Sequence, residues 1–131
     1  MLGVRDETTD LDALLTDCGL TDLRDKKTSA LSGGERQRMC FARMLAGNWP
    51  CLLLDEPLSA VDIRTSRSLE DTLVRRCKEQ GTTLLMSTHL PAQAMAVSSK
   101  VLLMDAGRVR FVGAPSEVLT SEHLRELYGV R

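Results

Sequence analysis

The run CLLLDEP, Cys51 to Pro57, sets four apolar residues before two adjacent acids and a proline. A short, continuous apolar run suits a strand buried on both faces, as in a parallel sheet. Pro57 blocks simple extension of that strand. Asp55 and Glu56 therefore stand where it ends. Beyond them, Ile63 to Gln80 has helical spacing, with Leu69, Leu73 and Cys77 on one stripe and Gly81 placed as a C-cap. TTLLMS, Thr82 to Ser87, reads as a second buried strand. Strand, helix and strand in that order point to an α/β layer architecture. In such sheets a ligand sits beyond the carboxyl ends of the strands. Asp55-Glu56 and Ser87-Thr88-His89 both fall on that edge.

Upstream, LSGGERQRMCFARMLA runs from Leu31 to Ala46. Ser32 is a good N-cap, and Glu35 falls at capping-box spacing. The helix is expected to reach about Ala46 and stop at Gly47-Asn48. Met39, Phe41, Ala42, Met44 and Leu45 populate its apolar face, and Arg36, Arg38 and Arg43 read as solvated. Two glycines in a row are costly in a helix. Ser32, Gly33 and Gly34 leave amides bare at the positive end of the helix, which is a ready anion site. An ordinary N-cap with a flexible approach accounts for the same residues.

Asp10 can cap a short helix, Leu11 to Cys18, that ends at Gly19. Thr21 to Ala30 is polar and loop-like. Pro91 opens a helix to about Ser98. KVLLMD and RVRFVG then flank Ala106-Gly107, a hairpin pattern. Short helical pieces are expected near Ser116 to Leu119 and Ser121 to Tyr128.

The 131 residues suit one domain, and 43% apolar content is enough for a core. A net charge of −1 supplies no field to draw the chain to nucleic acid or an anionic membrane. Aromatics at 3% argue against a base-stacking surface. Cys18, Cys40, Cys51 and Cys77 form no CxxC pair and read as buried free thiols of a reducing cytosol. No apolar stretch approaches the roughly 20 residues that cross a bilayer. MLGVRDETTD has no signal-peptide core, so a cytosolic chain is expected.

Asp55 and Glu56 read either as a solvated turn that ends a strand or as a working pair. As a pair they can divide labour: one carboxylate holds a hard Mg²⁺, the other takes a proton from an attacking water. His89 is either structural or a hydrogen-bond donor to phosphate. His123 has no such context and reads as surface.

Taken together and in order, LSGGERQR, LLLDEP, SAVD and STH resemble the ATPase subunit of ABC transporters, from about Leu11 to the C-terminus. KVLLMDAGRVRFVGAPSEVLT is similar to the strand pair and helix that close this module, and SEHLRELYGV to the tails of importers for iron chelates, haem and cobalamin. The resemblance implies a partial P-loop NTPase fold with ATP and Mg²⁺ as cofactors. Asp55 would be the Walker B aspartate, holding Mg²⁺ through water. Glu56 would be the general base, and His89 the switch histidine on the γ-phosphate. Asp62 would lie at the dimer interface, with Val61 where the family usually has leucine. Ser32, Gly33 and Gly34 would be the signature motif, with Glu35 where many members have glutamine. Residues 1–47 would belong to the helical signature subdomain and 48–131 to the ATPase core. The implied partners are a second ATPase subunit, head to tail, and transmembrane permease subunits, on the inner face of the cell membrane, with no nucleic acid.

One departure matters. The phosphate-cradling G-x-x-x-x-G-K-[ST] loop is absent, and none of Lys26, Lys27, Lys78 and Lys100 follows a glycine. The resemblance thus covers the second half of the module. It implies a missing strand beside TTLLMS, an unpaired apolar edge, and a chain that is poorly stable or associates with another. Two other readings stay open. One is a non-transport ABC ATPase, although the short run from the signature to Asp55 leaves no room for an insertion there. The other is an inactive fragment or interaction-only chain.

Overall fold

The computed structural model describes residues 10–129. It divides at Ser87/Thr88 into two compact units. The first contains α1 (Leu11–Asp17), α2 (Gly33–Leu45), β1 (Cys51–Asp55), α3 (Ile63–Gln80) and β2 (Thr83–Ser87). Single 3₁₀ turns at Thr21–Leu23 and Thr28–Ala30 punctuate the polar segment expected as loop. The second contains α4 (Pro91–Val97), β3 (Val101–Asp105), β4 (Arg108–Gly113), α5 (Pro115–Val118) and α6 (Ser121–Tyr128).

Local chemistry sets the helix ends. Asp10 Oδ1 accepts the amides of Asp12 and Ala13 at 3.0 and 3.1 Å, which starts α1. Asp62 Oδ1 accepts the Thr65 amide at 3.0 Å, which starts α3. Gly81 ends α3 at φ 67, a left-handed cap that favours glycine.

β1 and β2 pair in parallel, from Cys51 opposite Thr83 to Asp55 opposite Ser87. α3 is their crossover, as parallel pairing requires. Leu14, Cys18, Phe41, Leu45, Leu58, Leu69 and Leu73 form the buried core of this unit, with Leu52, Leu54, Leu84 and Met86 packed on it. The stripe read from Leu69, Leu73 and Cys77 is therefore the buried face of α3.

The expectation of strands buried on both faces fails. Burial alternates along β1 and β2, and Leu53 and Leu85 on the opposite face are 72% and 59% exposed. One crossover helix covers one face of a sheet; the described residues up to Ser87 supply no layer for the other. Among the described residues β2 pairs only with β1, so its outer edge is open.

Two further readings change. Cys40 and Cys51 are exposed, while Cys18 and Cys77 are buried; all four are free. Cys40 lies off the α2 face that buries Phe41, Ala42 and Leu45, and Cys51 lies on the bare sheet face. Burial is the main reason the Cys18 thiol is pushed up to about 11; Asp17 adds to this, and Arg76 and Arg38 oppose it. Arg38 is not a solvated side chain either. It is half-buried, and its Nε is sequestered without a hydrogen-bond partner. α2 packs beside α1, and this turns Arg38 onto the C-terminal end of α1 near Gly19.

In the second unit, β3 and β4 form an antiparallel hairpin with a bulge at Leu103/Met104. Its turn places Ala106 at φ 47 and Gly107 at φ 75, the left-handed pair that suits the twist of a two-residue hairpin. His123, read as surface, is half-buried: its ring stacks on Phe111 at 3.7 Å, and Nδ1 lies 2.9 Å from the Val118 carbonyl oxygen. β4 brings Phe111 to α6, a tertiary contact with no local signal. Among the described residues no helix is long and apolar enough to cross a membrane.

Candidate functional site

Ser32 and Glu35 build the mouth of α2 between them. Ser32 Oγ accepts the Glu35 amide at 3.2 Å, and a Glu35 carboxylate oxygen accepts the Ser32 amide at 2.7 Å. This is the reciprocal capping box that the spacing predicts. Lys26 Nζ adds an ion pair to the same carboxylate at 3.1 Å. The Ser32 amide and the Lys26 bond hold the Glu35 carboxyl below its usual range. Its charge is thus engaged within the chain.

The first i→i−4 bond of α2 runs from the Arg36 amide to the Ser32 carbonyl at 2.9 Å. The Gly33 and Gly34 amides precede it and are orphan donors of the first turn. Neither glycine stands at positive φ. A side-chain carbon at Gly33 would meet nothing within 4 Å, and one at Gly34 would come no closer than 3.8 Å, to the Ala60 carbonyl oxygen. Nothing in the chain's own packing calls for the missing side chains. The bare backbone is open to whatever lies outside.

The acids occupy a constrained turn. Glu56 stands at φ 42, a left-handed conformation unusual for a glutamate. Its amide donates to the Ser87 carbonyl at 3.3 Å and to Ser87 Oγ at 3.1 Å, and Ser87 Oγ in turn donates to Asp55 Oδ1. Both acids are exposed. The next residue along is tied to α2: Gln37 Nε2 donates to the Pro57 carbonyl at 2.8 Å. The fold thereby brings the glycine-bearing helix and the acid turn together in one unit. Asp62 is spent locally as the cap of α3, and the Thr65 side-chain and backbone bonds hold its carboxyl low. His89 belongs to the second unit, where its carbonyl accepts Tyr128 Oη at 3.5 Å.

Gln37, Lys26 and Ser87 were not singled out as site residues in the sequence. Gln37 sits inside the quoted LSGGERQR motif, and Ser87 immediately precedes Thr88-His89 on the predicted ligand edge. Those positions were the available signal. Among the described residues no group of three or more His, Cys, Asp or Glu side chains converges to hold a metal. A divalent cation here would draw most of its ligands from phosphate and water, which suits a single carboxylate such as Asp55.

The sequence and fold have known counterparts. The ABC transporter family profile matches residues 4–59. The hemin import ATP-binding protein HmuV of Rhodopseudomonas palustris is 38% identical over 127 residues, covering 91% of this chain and 47% of that protein. The thiamine import ATP-binding protein ThiQ of Jannaschia is 43% identical over 95 residues, covering 72% of this chain and 42% of that one. A transporter described as metal-chelate type, solved in an inward-facing conformation, superposes with a TM-score of 0.75 at 33% identity, over 91% of this chain and 48% of its own. The CbiO1 protein of Clostridium perfringens, part of a transporter complex, gives a TM-score of 0.69 at 30% identity. The chain spans less than half the length of these curated relatives. Shared motifs, profile and fold together make the chain similar to the ATP-binding subunits of ABC transporters, and it carries part of their ATPase fold.

Proposed function

We propose that the chain works as part of the ATP-hydrolysing subunit of an ABC membrane importer, with the mouth of α2 contacting ATP held by an opposite subunit. The observation that carries this is the Gly33-Gly34 pair. Two helix-weakening residues leave orphan amides open where nothing in the chain needs them bare. A phosphate oxygen approaching those amides would meet the positive end of the α2 dipole.

The remaining roles are those the family resemblance implies, and the residue chemistry is compatible with them. Asp55 would hold Mg²⁺ through water, and Glu56 would accept a proton from the attacking water. His89 would hydrogen-bond the terminal phosphate. Asp62, beyond capping α3, would face the opposite subunit. Bound Mg²⁺ would neutralise charge on the phosphates. No phosphate-cradling loop is encoded between Met1 and Arg131, so the main cradle would come from outside these residues. Permease subunits would place the assembly at the inner face of the membrane.

A second reading, an interaction-only chain, is supported by the bare Leu53/Leu85 face. One experiment separates the two. ATPase activity of an intact homologous subunit is measured with and without this chain. A change in rate that disappears with Gly33→Val supports the signature role; an unchanged rate overturns it.

A further inference from the structure

Ser87 closes β2 directly opposite Asp55, which closes β1. Its hydroxyl donates to Asp55 Oδ1 and accepts the Glu56 amide at 3.1 Å. One hydroxyl thus joins the side chain of one acid to the backbone of the other. Ser87 is exposed, so the side chain is not there to fill a core. Glu56 at φ 42 occupies a conformation that persists only where the surroundings hold it. Strand pairing supplies part of that hold through the 3.3 Å bond to the Ser87 carbonyl, and the hydroxyl supplies a second, shorter bond. A carboxylate offers two oxygens. With Oδ1 engaged by Ser87, Oδ2 is left to face water or a hydrated cation.

We infer that Ser87 is a positioning residue for the acid pair, selecting which Asp55 oxygen is presented and fixing the turn that carries Glu56. The inference rests on the reading of Asp55 and Glu56 as the hydrolytic acids. It commits Ser87 to acting through its hydroxyl, not through its bulk or its backbone.

Ser87→Thr and Ser87→Val test this as a pair. They are nearly equal in shape and both suit a strand, but only threonine keeps the hydroxyl. Two NMR quantities are read on the chain without nucleotide: hydrogen exchange at the Glu56 amide, and the ¹³C resonance of the Asp55 carboxylate. Loss of one ordinary hydrogen bond is expected to speed exchange about fivefold in Ser87→Val, with Ser87→Thr within about twofold of the native rate. The Asp55 resonance should move in Ser87→Val and stay in Ser87→Thr. Ser87→Ala must behave as the valine variant does, which covers any disturbance valine causes to β2. If the threonine and valine variants match each other in both quantities, the inference falls. An unchanged ATPase rate of the intact subunit on adding this chain would count against the proposed function and leave these two readouts intact, so the two ideas fail separately.

Discussion

Gln37 on α2 reaches the Pro57 carbonyl at 2.8 Å and so couples that helix to the turn holding Asp55 and Glu56. Its Oε1 is buried with no partner, so the amide is held for its donor alone. Gln37→Ala should lower the stability of the first unit by about 1–2 kcal/mol, because it strands a carbonyl in a part-buried site. Gln37→Met, which fills the space and removes the orphan acceptor, should cost less. Urea midpoints of the two variants check the order, and the reverse order would show that neither filling the space nor removing the orphan acceptor offsets the loss.

The capping box at the mouth of α2 is predicted to make stability pH-dependent. The folded Glu35 carboxyl titrates below its ordinary value of 4.5. Its contribution is therefore full above that value and is lost as pH falls through the lower folded one. The gap in urea midpoint between native chain and Glu35→Ala should be present at neutral pH and close in acid. A gap that stays constant across this range would exclude Glu35 as the titrating group.

Gly33→Ala and Gly34→Ala are expected to stabilise the chain, by about 0.5 kcal/mol each, because alanine is the better helix former and both sites have room. The same changes should weaken any effect of the chain on the ATPase of an intact subunit. Thermal denaturation measures the first consequence and phosphate release the second. Destabilisation by either alanine would reveal a need for glycine within the chain itself.

Leu53 and Leu85 are register partners on the bare sheet face. Replacing them with threonine and glutamate should reduce self-association in sedimentation velocity and lower binding of a hydrophobic dye. Stability should stay within about 0.5 kcal/mol, since neither residue packs on the core. A large loss of stability would mean that this face is covered in solution.

Much of the fold was readable because its signals are local. Asp10, Ser32 and Gly81 each act on residues within one turn, and the structure uses them as the spacing predicts. Pro91 and the Ala106-Gly107 turn are equally short-range. What escaped depends on distant neighbours. Leu53 looks no different from Leu52 in the run CLLLDEP, yet one is bare and the other half-buried, since only one side of the sheet is covered. Arg38 is drawn inward by α1, an element with no pattern in common with it. Ser87 acts on Asp55 across 32 residues, through a register that only the paired strands define. His89 and Asp62 stood out in the sequence. Their contacts include a backbone bond from Tyr128 and a helix cap, neither of which tests chemistry on a phosphate.

Glu56 carries one more implication, for anyone who evolves this chain in the laboratory. At φ 42, glycine or asparagine would sit more comfortably than glutamate. A library sorted only by heat tolerance is therefore pulled toward replacing it. Each round that makes the molecule sturdier would push against the very carboxylate assigned to proton transfer. Position 56 is where selection for endurance and selection for turnover would part company.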